Sequence, residues 1–97
     1  MKALEHTPEL LALARRVIWF EDPQTALSDP VRFLAYLMTF GTAEDVTVAR
    51  RSFRPDDFRH AVENAPPGIM DERSWAYWNL VVGRDPAPPM PRRLFPE

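Results

Sequence analysis

Apolar residues recur along most of this chain at intervals of three and four positions, the spacing that places them on one face of an α-helix. The first such segment starts at Thr7-Pro8-Glu9. A hydroxyl side chain caps the free amides of a helix, proline is tolerated at the first position, and an acid suits the positive first turn. The pattern predicts a helix from Pro8 to about Trp19, with apolar positions at Leu10, Leu13, Ala14, Val17 and Ile18.

Proline after aspartate marks two further helix starts. Asp22-Pro23 begins a short segment of one or two helical turns, and Asp29-Pro30 begins a longer one. The longer segment is apolar over most of its circumference, which is typical of a central helix. We expect Gly41 to end it in a left-handed conformation. Its apolar residues are Phe33, Leu34, Tyr36, Leu37, Met38 and Phe40.

Three more helices are predicted beyond the central one. Thr42-Ala43-Glu44-Asp45 resembles a capping box and starts the third helix. Arg54-Pro55 starts the fourth, and Ala65-Pro66-Pro67-Gly68 must end it. Asp71 caps a fifth helix that is strongly apolar up to Gly83. The alternation typical of a strand does not persist, so the sequence predicts an all-α fold, a compact bundle of about five short helices.

The last part of the chain has a different composition. The segment 85–91 is rich in proline and can form neither a helix nor a central strand. We expect an extended, polyproline-like tail that ends in Arg92-Arg93-Leu94-Phe95. The predicted organisation is a helical domain at residues 1–83 and a proline-rich tail at residues 84–97. The sequence leaves open whether this tail folds back over its own helices or lies on another protein.

Composition narrows the class of protein. The chain has 97 residues, of which 12 are basic and 14 acidic, and its net charge of −2 indicates neither nucleic acid nor a membrane surface as a partner. It contains no cysteine, which excludes disulfides, thiolate nucleophiles and zinc–sulfur sites. No apolar run reaches the ~20 residues of a membrane span, and the N-terminus is too polar for a signal peptide. We therefore expect a cytoplasmic protein.

Acid–base or metal chemistry has one candidate arrangement. Asp56, His60 and Glu63 have i, i+4, i+7 spacing, which stacks them on one side of the fourth helix. A solvated polar face explains this arrangement more simply, because the chain offers no second cluster of ligands. The three glycines are isolated from one another and form no phosphate-binding loop. We expect no enzyme activity, no metal and no cofactor.

Four arginines, Arg50, Arg51, Arg54 and Arg59, cluster around the turn between the third and fourth helices. Two short helices joined by a tight turn beside basic residues are the pattern of a helix-turn-helix DNA-binding regulator, which would use the helices at about 43–52 and 55–64. Asp56 and Asp57 lie in the first turn of the second of these helices, where DNA phosphates would approach. A DNA-binding regulator is therefore the alternative and not the leading prediction.

Three aromatic residues lie close together on the fifth helix. Trp75 and Trp78 share a face, and Tyr77 points elsewhere. We expect Trp78 to lie in the core against the central helix. Burial in the core is the simplest explanation of the whole cluster, and a surface position for Trp75 or Tyr77 would mark a contact with a partner.

Five local strings, in their order along the chain, resemble a family of small uncharacterised bacterial proteins that are often encoded beside nucleotidyltransferase-type abortive-infection toxins. The resemblance covers roughly residues 17–95. It implies an antitoxin-like role as the partner of such a toxin, and it brings no catalytic motif. The strings are Ile18-Trp19-Phe20, Gly41-Thr42-Ala43-Glu44-Asp45, Ala65-Pro66-Pro67-Gly68, Arg73-Ser74-Trp75-Ala76-Tyr77-Trp78 and Pro88-Pro89-Met90-Pro91-Arg92-Arg93-Leu94-Phe95.

The leading prediction is a non-enzymatic protein-interaction domain. Two arginines in the tail suit an acidic or phosphate-binding surface of the partner, and the apolar residues after them suit apolar pockets. A homodimer through the apolar excess of the first or the last helix stays open. The predicted partner contacts are Trp75, Tyr77, Arg92, Arg93, Leu94 and Phe95.

Overall fold

Six α-helices and no β-strand are present in residues 5–91, the part of the chain that the computed structural model describes. They are α1 (Pro8–Val17), α2 (Pro23–Leu27), α3 (Pro30–Phe40), α4 (Ala43–Ala49), α5 (Pro55–Glu63) and α6 (Glu72–Val81). The all-α prediction is confirmed. The count differs from the expected five because the short segment after Asp22 forms a helix of its own. The Asp22 carboxylate accepts hydrogen bonds from the amides of Gln24 and Thr25, which fixes that first turn.

Most helices begin at a side chain that caps the first turn. An amide of the first turn donates to the side chain of each of five residues: Thr7, Asp22, Asp29, Thr42 and Asp71. The start of α5 differs, because there the Asp57 carboxylate accepts from the amide of Arg54 at 2.8 Å. These bonds join residues that are neighbours in the sequence, which is why the sequence predicts the helix starts well.

The glycines at the ends of α3 and α6 have different roles. Gly41 has a φ of −75°, so the left-handed end predicted for α3 is wrong. Gly41 is instead required for space, since a Cβ there would lie 2.6 Å from the carbonyl oxygen of Leu37. Gly83 does adopt the left-handed conformation, with a φ of 84°, and follows the last turn of α6.

Helix α3 is the centre of the fold, as its apolar circumference predicts. It packs against α1, α2, α4, α5 and α6, which are all the other helices of the described residues. Phe33, Leu34 and Leu37 of α3 are fully buried. The helices around α3 form two groups. In one group α1 contacts both α2 and α4, and in the other α5 packs against α6.

A series of buried aromatic rings runs from α3 to α6. Phe33 stacks on Phe53 with 6.0 Å between ring centres, and Phe53 meets Phe58 edge-on at 6.4 Å. Phe58 lies nearly parallel to Trp78, with 5.5 Å between centres. The Trp78 indole N–H donates to the carbonyl oxygen of Met38 at 3.1 Å, so Trp78 packs on the central helix as predicted.

Residues 84–91 contain neither helix nor strand and contact α6. The Trp75 indole N–H donates to the carbonyl oxygen of Pro88 at 2.8 Å. The guanidinium of Arg84 lies 6.0 Å from the centre of the Trp75 ring, and Met90 packs partly buried against the core. The extended tail as a whole stays a prediction, because residues 92–97 lie outside the described part.

Some residues of the apolar helices lie outside the core. Phe40 at the end of α3, and Leu80 and Val81 at the end of α6, are exposed, because no other helix covers these sides. Apolar periodicity identifies such residues only as apolar, since burial depends on neighbours that the local sequence does not specify. None of the helices in residues 5–91 is long and apolar enough to cross a membrane.

Candidate functional site

The first candidate site is the exposed side of α6, which we call the α6 face and which consists of Tyr77, Leu80 and Val81. These residues have i, i+3, i+4 spacing and therefore lie on one side of the helix. They are 59%, 61% and 44% exposed. The opposite side of α6 carries Trp75 and Trp78, both buried. Packing of that side on the core holds the α6 face in a fixed position.

The start of α6 is fixed by its cap. The Asp71 carboxylate accepts a hydrogen bond from the amide of Ser74 at 2.7 Å. This hydrogen bond stabilises the ionised carboxylate and lowers the pKa of Asp71 below its ordinary value. The helix that presents the α6 face therefore begins at an ionised cap near neutral pH.

Of the two aromatic residues predicted as partner contacts on this helix, Tyr77 is exposed and Trp75 is buried. Only 6% of Trp75 is exposed, and its indole N–H is bonded to Pro88. Trp75 therefore fixes the segment 84–91 and offers no surface to a partner. The other predicted contacts, Arg92, Arg93, Leu94 and Phe95, lie outside the described residues.

An open cleft of about 360 Å³ borders the α6 face. Val81 belongs to both, so the cleft and the face form one continuous surface. The cleft is also lined by the parallel rings of Phe58 and Trp78, which are almost fully buried and so form its base. The base is apolar, and the charged side chains of Arg50, Asp56 and Arg59 lie around it. The cleft can therefore contact an apolar side chain that has polar neighbours.

Arg50 places a positive charge at this cleft. Its guanidinium lies 5.5 Å from the centre of the Phe58 ring, in cation–π contact. Within residues 5–91 Arg50 forms no ion pair, whereas Arg59 on the same cleft donates to Glu63 at 3.2 Å. Arg50 is therefore available to bind an anionic group next to an apolar one.

The arginines predicted as an alternative DNA contact are Arg50, Arg51, Arg54 and Arg59, and two of them are bound to acids of this chain. Arg51 donates to Glu9 at 2.6 Å, and Arg59 pairs with Glu63. Helix α4 packs on α1 and α3, helix α5 packs on α3 and α6, and the two do not pack on each other. A helix-turn-helix needs its two helices joined as one unit. The DNA alternative therefore has less geometric support than a protein contact.

Asp56, His60 and Glu63 lie on the exposed side of α5. Glu63 is bound to Arg59, and Nδ1 of His60 is 3.4 Å from the side-chain nitrogen of Asn64. Between residues 5 and 91 no group of three or more histidine or acidic side chains is placed to hold a metal ion. The arrangement in the structure is a solvated polar face.

A second exposed apolar surface was not predicted from the sequence. We call it the aromatic surface; it consists of Trp19, Phe20, Tyr36 and Phe40. Phe40 continues the apolar periodicity of α3, so the pattern assigns it to the core. Trp19 marks the predicted end of the first helix and lies about two and a half turns after Leu10, opposite the apolar positions of that helix. One sequence signal could have placed Trp19 and Phe20 outside a helix. The cap at Asp22 starts α2 so soon after α1 that only a short turn, which contains these two residues, connects the two helices.

Two exposed apolar surfaces are thus the candidate sites of the described residues. One is the α6 face with its cleft, and the other is the aromatic surface. Exposed apolar patches of this kind often mark contacts with other macromolecules. Comparison of the chain with protein-family models, with curated proteins and with solved structures finds no match.

Proposed function

We propose that this chain is a non-enzymatic protein-interaction domain that binds a partner through the α6 face and the adjoining cleft. The observation that carries the proposal is the joint exposure of Tyr77, Leu80 and Val81 on a helix whose other side is packed in the core. Tyrosine is enriched among the residues that supply most of the binding free energy of a contact, and rigid apolar neighbours around such a residue exclude water from it. The α6 face has this composition and this rigidity.

The cleft defines what the partner presents. An apolar side chain of the partner enters between Val81 and the rings of Phe58 and Trp78. A carboxylate beside it pairs with Arg50, whose guanidinium already lies over the Phe58 ring. The segment recognised is therefore an acidic residue next to an aliphatic or aromatic one. Loss of water from around this pair strengthens the charged hydrogen bond.

The resemblance to small proteins encoded beside nucleotidyltransferase-type toxins supports a toxin enzyme as the partner. This chain then acts as the antitoxin-like subunit of a cytoplasmic complex. Residues 84–91 contact α6 through the bond between Trp75 and Pro88. Arg92, Arg93, Leu94 and Phe95 supply a second contact with the partner in this proposal.

Co-expression tests the proposal. The tagged chain is produced together with the toxin-type protein encoded beside its gene, and the amount of co-purified partner is measured. We expect Leu80→Asp and Arg50→Glu each to reduce co-purification at least about tenfold, because each places a charge that opposes the contact. Phe40→Asp is the matched control, since it also adds an acid at an exposed apolar residue, but outside the α6 face.

Circular dichroism verifies that each variant is folded. Wild-type chain that captures none of this partner overturns the proposal. Equal capture by wild type and by both α6-face variants also overturns it.

The contribution of the tail is tested by deleting residues 92–97. This shorter deletion keeps the bond between Trp75 and Pro88, whereas removal of residues 84–97 would also uncover α6. Weaker capture by the deleted chain supports the tail contact. Unchanged capture removes the tail from the proposal and leaves the α6 face as the contact.

A further inference from the structure

The aromatic surface is an exposed apolar feature of residues 5–91 that lies apart from the α6 face. Trp19, Phe20 and Phe40 are 79%, 54% and 65% exposed. The rings form a continuous series: Trp19 meets Phe20 edge-on at 5.6 Å between centres, Phe20 meets Tyr36 at 5.9 Å, and Tyr36 stacks on Phe40 at 6.0 Å. One helix and one turn therefore contribute to this surface: the outer side of α3 and the turn after α1.

An ion pair lies beside this surface. Arg32 binds Glu21 through two hydrogen bonds, of 2.7 and 3.1 Å, and its guanidinium lies 5.2 Å from the centre of the Tyr36 ring. Both side chains are about three-quarters buried, at 26% and 23% exposure. The pair leaves no charge for a partner to neutralise. This surface therefore differs from the cleft, where Arg50 requires an anion.

A surface of this kind can pack against the same surface of a second copy of the chain. In a twofold contact each residue faces the same patch of the second chain, so an unpaired charge near the axis would meet a like charge. In such a contact the aromatic rings of one chain face the aromatic rings of the other. Edge-to-face contacts are favourable between any two aromatic rings. The pair of Arg32 and Glu21 lies beside Tyr36 and is neutral as a whole, so it brings no net charge to such a contact.

The exposed rings supply a large part of the area that a dimer contact needs. Aromatic side chains have about 150–250 Å² each, so the exposed fractions of the three rings amount to roughly 400 Å² of apolar surface. Two copies would bury roughly 800 Å² from the rings alone, so the residues around the rings have to supply the rest of the about 1,200–2,000 Å² of a specific interface. We propose that a second copy of this chain docks on the aromatic surface in a twofold dimer, leaving the α6 face for the partner protein.

The oligomeric state tests this proposal on the full chain without any partner. Sedimentation equilibrium gives the dimer affinity of wild type and of the variants Phe40→Asp and Trp19→Ala. We expect the wild type to dimerise and each variant to lose at least about tenfold in dimer affinity. Leu80→Asp is the matched control, which keeps the wild-type affinity because the α6 face lies outside the dimer contact. Iodide quenching of tryptophan fluorescence should fall on dimerisation, since Trp19 becomes covered while Trp75 and Trp78 are buried throughout.

A wild-type chain that is monomeric up to about 1 mM overturns the proposal. So does a dimer that Phe40→Asp leaves intact. Monomeric wild type whose capture of the co-expressed toxin-type protein is lost in Phe40→Asp would assign the aromatic surface to that partner. The two proposals fail separately, because dimerisation is measured without the partner and capture is tested by the α6-face variants.

Discussion

Asp45 joins two helices through one carboxylate. Its Oδ2 accepts from the amide of Thr42 at 3.0 Å and completes a capping box at the start of α4, while its Oδ1 binds Arg16 of α1. Burial raises the pKa of Asp45, but the hydrogen bonds from Thr42 and Arg16 outweigh this effect and lower the pKa below its ordinary value. The ionised carboxylate is therefore the form that the folded chain stabilises.

We expect Asp45→Asn to lower the free energy of unfolding by about 1 kcal/mol at pH 7, because Arg16 loses its charged partner while the amide oxygen can still cap α4. The folded-state pKa of Asp45 is below the unfolded value of about 4, so its contribution is complete above that value and is lost as the pH falls through the folded pKa. Urea unfolding between pH 7 and pH 2 should show the two chains converging at the acid end. Glu5→Gln, at an exposed acid outside the helices, is the control and should change little at any pH. A constant difference across the pH range would contradict this explanation.

At the scale of elements, α6 depends on the cap at Asp71. We expect Asp71→Ala to cost about 1 kcal/mol, because the amide of Ser74 loses its acceptor. Asp71→Asn is the matched control: asparagine caps helices as well as aspartate does, so this variant should stay close to wild type. Urea unfolding at pH 7 measures both. Equal losses in the two variants would mean that the charge, and not the capping bond, stabilises this helix.

Helix starts could be predicted from the sequence, and the candidate sites only in part. Thr7, Asp22, Asp29 and Asp71 cap helices because their acceptors lie two or three residues from the amides they bind. Exposure is set by residues distant in the sequence: Trp75 and Tyr77 are two positions apart, yet only Trp75 is covered, by the segment that contains Pro88. The aromatic surface was not predicted for the same reason, because the local pattern does not reveal that Phe40 at the end of α3 stays exposed within the described part of the chain.

On the scale of the whole molecule, α3 connects two groups of helices. Helices α1, α2 and α4 lie against it on one side, and α5 with α6 on another. Phe53, from the connection between α4 and α5, fills the space between Phe33 of α3 and Phe58 of α5. Two ion pairs also connect α1 to α4 and to the turn that follows it. They are Arg16 with Asp45, and Glu9 with Arg51. Because every helix packs on α3, we expect the described helices to unfold as one cooperative unit.

Phe53→Ala tests this cooperativity. Phe53 is 3% exposed, and its truncation leaves a cavity that should cost about 3–5 kcal/mol. Helix α1 does not contact α5 or α6. If the helices unfold together, hydrogen exchange should nevertheless show that the slowest amides of α1 lose as much protection as the slowest amides of α6. Phe40→Ala is the control; at low protein concentration it should cost no more than about 0.5 kcal/mol, because Phe40 lies on the surface. Loss of protection in α6 with unchanged protection in α1 would show that the two groups unfold separately, and α3 would then be a boundary between them and not a shared core.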